Sequence, residues 1–86
     1  MKEFKLTVKD PNGLHARPAG LLVREAQRLS DRITIHTDQK QADLKKLLAV
    51  MGLGIRHGDT VTVRIEGKDE EASLHTLREA FSRANI

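Results

Sequence analysis

Asp10-Pro11-Asn12-Gly13-Leu14-His15-Ala16-Arg17-Pro18-Ala19 is the stretch on which the fold turns. Before it, Phe4, Leu6 and Val8 alternate with Glu3, Lys5, Thr7 and Lys9, the period of a half-buried strand. After it, Ala19, Leu22, Val23, Ala26 and Leu29 recur at helical spacing and place one apolar stripe on a helix over about 16–29. The residues between, Asp10 to Gly13, are turn formers. Pro18 fits the first turn of a helix, where its missing N–H would have no intrahelical acceptor anyway. The helix therefore starts near Ala16, with His15 at or beside the N-cap.

That placement has chemical consequences. The first N–H groups of a helix lack intrahelical partners, and the macrodipole adds partial positive charge there, so the end attracts anions. Pro18 offers no donor, which leaves the amides of Ala16 and Arg17 to face an anion. Arg17 adds a charge-assisted bond to phosphate oxygens. The same positive field favours a neutral, nucleophilic imidazole at His15. A lone histidine at a helix start is more often a cap or a surface residue. Here Gly13, His15, Arg17 and Pro18 occur together, and the set reads as a phosphate site with His15 carrying a phosphoryl group. On residue chemistry alone, phosphate handling and a plain capping histidine stand as equal alternatives.

Working outward, Gly20, Leu21 and Arg24 continue the side of the first helix that begins at Arg17. Arg32 to His36 alternates as a second strand, Thr37 to Lys40 forms a turn, and Gln39 to Ala42 is expected as a short, polar third strand. Leu44, Leu47, Leu48 and Met51 sit at i, i+3, i+4 and i+7, so periodicity favours a short helix with those four on its core face; the alternative is that Leu47, Leu48 and Met51 partly face outward as a contact patch, for which methionine's flexible side chain is suited. Gly52-Leu53-Gly54 closes that helix, one glycine taking the left-handed conformation. Thr60 to Glu66 alternates throughout and is the strongest strand signal in the chain. Asp69 is the expected N-cap of a last helix, with Glu70 and Glu71 in its first turn and Leu74, Leu77, Phe81 and Ala84 on its apolar face. The order strand, helix, strand, strand, helix, strand, helix is satisfied by an α+β fold. A four-stranded antiparallel sheet with three helices packed on one face is the natural solution, in a single domain over residues 1–86.

Composition narrows the function. No cysteine is present, so neither disulfides nor thiolate metal sites are available. No apolar run reaches the length of a membrane span, and the first residues do not resemble a signal peptide, so a cytoplasmic protein is expected. Formal net charge is only +3, and aromatics are 2% of the chain. Without exposed aromatics on its inner strands, a ferredoxin-like RNA-binding sheet of the same element order lacks its stacking platform, so no nucleic-acid partner is expected. Gly52, Gly54 and Gly58 are wrongly spaced for a dinucleotide loop. No cofactor or metal is expected.

Gly13 to Ala19 resembles the active-site signature of the histidine-containing phosphocarrier (HPr) family of the bacterial sugar phosphotransferase system. Leu44 to Ile55 resembles a second stretch of the same family. The resemblance implies an open-faced β-sandwich of this kind, and a stoichiometric carrier, not an enzyme. Phosphoenolpyruvate would phosphorylate enzyme I, enzyme I would phosphorylate His15 at its pros nitrogen, and His15 would pass the group to sugar-specific EIIA components. It implies roles for Arg17 and the Ala16 N–H at the site. It also turns Leu47, Leu48 and Met51 outward as a docking patch shared with Arg17, Gly20, Leu21 and Arg24. Many members carry a regulatory serine where this chain has Lys46; lysine has no hydroxyl, so that phosphorylation is not expected here. Nothing in the sequence demands an oligomer, so a monomer is expected. The alternatives are a regulatory protein-binding module on the same fold, or a carrier serving a nitrogen-related or dihydroxyacetone branch.

Overall fold

The computed structural model describes residues 1–86. Its elements are β1 (Lys2–Thr7), α1 (Ala16–Gln27), β2 (Arg32–His36), β3 (Gln41–Asp43), α2 (Leu47–Met51), β4 (Thr60–Glu66) and α3 (Glu70–Arg83). The strands form one sheet in the order β1-β4-β2-β3, and every neighbouring pair is antiparallel. This is the expected α+β order.

Register follows from alternation. Phe4 lies opposite Val63 and Leu6 opposite Val61, while Ile33 and Ile35 lie opposite Ile65 and Val63. All of these point to the face that the helices cover, because a period of two puts them on one side of the sheet. Ala19, Leu22, Val23 and Ala26 of α1, and Leu77, Ala80 and Phe81 of α3, close the core over them. Phe4 meets Phe81 edge-on, with ring centroids 5.7 Å apart. The opposite face carries Glu3, Lys5, Arg32, Thr34, His36, Thr62 and Arg64, with Arg64 Nε donating to Glu3 at 3.2 Å.

Four local expectations are corrected. First, α1 ends at Gln27, and Leu29 packs against the core from beyond it. Second, β3 is Gln41–Asp43, not 39–42. Thr37 N–H donates to Lys40 O at 2.8 Å and Lys40 N–H to Thr37 Oγ1 at 3.0 Å, which holds Gln39 and Lys40 in the turn. Third, the apolar face assigned by periodicity around α2 is wrong. Leu44 is fully buried, but it precedes the helix and its N–H bonds Ile33 O at 3.0 Å; within the helix only Val50 is buried. Fourth, Asp69 occupies the N-cap of α3 without making a side-chain cap bond. The acceptor is Asp31, buried at the entrance to β2. Its Oδ1 takes the N–H groups of Lys68 and Asp69 at 3.0 and 3.3 Å, and its Oδ2 takes Ser73 Oγ–H at 2.9 Å. One carboxylate thus fastens the start of α3 to β2.

No helix is long and apolar enough to cross a membrane.

Candidate functional site

The link from β1 to α1 is built almost entirely from backbone constraints. Val8 N–H bonds Asp59 O and Gly58 N–H bonds Val8 O, both at 2.8 Å, so β1's direction is carried past its end. Asp10 then closes a turn: its Oδ1 accepts from Asn12 N–H at 2.8 Å and its carbonyl from Gly13 N–H at 2.9 Å. Gly13 has φ +68 and lies directly on the backbone of Ile55 and Arg56. Leu14 is buried, and its N–H bonds Ile55 O at 3.1 Å. These contacts fix the chain on both sides just before His15.

His15 is the N-cap residue of α1, with extended backbone, and its carbonyl accepts from Ala19 N–H at 3.0 Å. Its side chain does not cap the helix. Ala16 and Arg17, the first two helical residues, donate to no backbone or side-chain acceptor, as expected from the sequence. Pro18 follows, buried. The result is an open, electropositive helix end beside an imidazole whose side chain is 40% exposed. Arg17 is exposed and makes no ion pair, so its guanidinium is available to an anion.

The ring itself is held on one side. His15 Nε2 lies 3.2 Å from Asp10 Oδ2, while Nδ1 has no partner. The Asn12 N–H, and secondarily His15, hold the Asp10 carboxyl below the usual carboxylate range, so it is ionised near neutral pH. Asp10 is the site residue that sequence reasoning missed. Its residue type alone accounts for the turn; the signal available in the sequence is an acidic side chain in the same tight loop as His15, able to fold back on it.

The remaining expected residues lie on α1 and α2. Arg17, Leu21 and Arg24 lie exposed along α1, and Gly20 has nothing within 4 Å of the place a Cβ would occupy. From α2, Leu48 is 86% exposed, and Leu47 and Met51 are 38% each, while Leu21 of α1 is 46% exposed. The two helices are tied where α1 ends: Gln27 Nε2 donates to Lys45 O at 2.9 Å and Lys45 Nζ to Leu29 O at 2.6 Å. The structure therefore sides with the outward orientation of Leu47, Leu48 and Met51 and against the core face that periodicity predicts. Lys46 is the exposed N-cap residue of α2. No group of three or more His, Asp or Glu side chains is placed so as to hold a metal ion.

A family model described as "PTS HPr component phosphorylation site" matches residues 2–83. The phosphocarrier protein HPr of Lysinibacillus sphaericus is 43% identical over 77 residues, which cover 90% of this chain and 88% of that one. Among solved structures, a Mycoplasma histidine-containing phosphocarrier protein superposes with a TM-score of 0.93 at 34% identity, covering 99% of this chain and 98% of its own. An HPr dimer from Thermoanaerobacter tengcongensis superposes with a TM-score of 0.76 at 35% identity, over 100% and 99% of the two chains.

Proposed function

The chain belongs to the HPr family of phosphotransferase-system phosphocarriers, and from that premise we propose that His15 is the residue that carries the phosphoryl group and that Nδ1 is the nitrogen that takes it. As a family member the protein relays a phosphoryl group through a histidine and is not itself a catalytic enzyme. Membership also implies enzyme I as donor and EIIA components as acceptors.

The observation that carries the assignment is the free Nδ1 of an exposed ring at an uncapped helix end. In the accepting step, the P–N bond of the donor histidine breaks as the bond from His15 Nδ1 to phosphorus forms. The donor nitrogen keeps the electron pair. Arg17 and the N–H groups of Ala16 and Arg17 neutralise charge on the phosphoryl oxygens, in this step and in its reverse toward EIIA. Partners dock on Arg17, Gly20, Leu21, Arg24, Leu47, Leu48 and Met51. Residues 1–86 act as one domain and as a monomer; in support of the single domain, one core cluster joins residues of the sheet and of all three helices.

The test is incubation with phosphoenolpyruvate and enzyme I, followed by phosphorus NMR. An acid-labile phosphoramidate on His15, lost in His15→Ala with the fold intact, is the expected result. Phosphorylation of the His15→Ala protein by enzyme I would overturn the assignment.

A further inference from the structure

We infer that Asp10 is a positioning residue for phosphoryl transfer: by accepting the proton of His15 Nε2 it keeps that proton off Nδ1, so that Nδ1 presents its lone pair to phosphorus. This rests on the reading of His15 as the acceptor.

Three observations converge. The Nε2 to Oδ2 separation is 3.2 Å, and no other group touches the ring nitrogens. An ionised carboxylate only accepts hydrogen bonds, so the hydrogen between the two residues belongs to Nε2. In a neutral imidazole that leaves Nδ1 bare, since the bond made by one nitrogen decides the state of the other. Asp10 is also rigidly placed. Its other oxygen is anchored by Asn12 N–H at 2.8 Å and its carbonyl by Gly13 N–H at 2.9 Å, within the same turn that delivers His15.

The charge balance makes the same contact useful during the reaction. When Nδ1 bonds phosphorus, the ring keeps its Nε2–H and becomes cationic. Asp10 faces that cation directly. On return of the group, the Nδ1–P bond breaks, its electron pair goes back to Nδ1, and the ring is neutral again with the proton still on Nε2. No proton has to enter or leave the site in either direction.

Asp10→Asn separates this role from a structural one. Its amide oxygen still accepts from Asn12 N–H, so the turn persists, but its NH2 donates to Nε2 and drives the proton onto Nδ1. Asp10→Ala removes the turn bond as well but imposes no tautomer. A structural role therefore predicts that Asp10→Ala transfers more slowly than Asp10→Asn; tautomer control predicts the reverse order.

The experiment has two arms. Long-range proton–nitrogen correlation of the His15 ring, at mildly alkaline pH and without phosphate, reads the tautomer: Nε2–H in the native protein and Nδ1–H in Asp10→Asn. Rapid-mix transfer from phosphorylated enzyme I reads the consequence. Asp10→Asn should be at least roughly 10- to 100-fold slow, the cost of replacing the partner that orients a metal-ligating histidine, and Asp10→Ala should be less impaired. A native Nδ1–H ring, or an Asp10→Asn protein that transfers at the native rate, would overturn the inference. The tautomer arm needs no phosphoryl transfer, so failure of His15 as acceptor would be recognised separately, by phosphate surviving in His15→Ala.

Discussion

Gly13→Ala is the substitution whose cost the structure specifies most closely. Gly13 has φ +68, and a Cβ there would lie 2.5 Å from Ile55 O and 2.8 Å from Arg56 Cα. Both obstacles are backbone, so no side chain can swing aside. Gly54 provides the control, with φ +64 and nothing within 4 Å. A residue with a side chain loses about 1–2 kcal/mol in the left-handed region. Overpacking against fixed atoms adds about 1–3 kcal/mol. The lower unfolded-state entropy of alanine returns about 0.4–1 kcal/mol at both positions and cancels between them. Gly54→Ala should therefore cost about 1 kcal/mol and Gly13→Ala about 3 kcal/mol. At about 4–8 °C per kcal/mol for a domain of this size, Gly13→Ala should melt roughly 12–24 °C below the native protein. Parallel thermal and urea unfolding followed by circular dichroism measures both. Acceptance of phosphate should also slow in Gly13→Ala, because relief of the overlap separates Leu14 N–H from Ile55 O and moves His15. If the two variants prove equally stable, the close approach of Gly13 to residues 55 and 56 is not what holds this loop.

Asp31→Ala strands Ser73 Oγ and two amides; about 2–4 kcal/mol should be lost, and Asp31→Asn, which keeps one oxygen acceptor, should fall between in the same melts. Leu48→Asp should change stability by less than about 0.5 kcal/mol, since Leu48 is 86% exposed, yet raise the concentration of this protein needed to half-saturate enzyme I; an unchanged half-saturation point would remove Leu48 from the docking surface. His36 lies half-buried on the open sheet face beside Thr34, where burial and then Arg64 push its pKa below the ordinary 6.5, with Glu3 opposing. The unfolded chain binds the proton first as pH falls, so stability should be full above about pH 6.5 and decline below it, toward the lower folded value. His36→Gln should flatten that decline in urea midpoints measured between neutral and mildly acidic pH.

Much of this protein is legible in its sequence. Pro18 set the start of α1, and most of the stripe residues of α1, β4 and α3 are buried as their spacing predicts, with Leu29, Leu74 and Ala84 only part-buried at the margins, because the periods of helix and strand are properties of the local chain. The open helix end beside His15 follows from the same local rules. Around α2 those rules failed. Five residues make barely more than one turn, so spacing cannot say which side is covered. That was decided by β3 and the end of α1, which bury Leu44 and Val50 and leave Leu47, Leu48 and Met51 outside. The strand order, the Asp31 bonds to residues 37 to 42 positions away, and the hand-off of Nε2 to Asp10 belong to the tertiary structure as well. Each depends on which groups meet in space after the backbone has closed, and no periodicity along the chain encodes such a meeting.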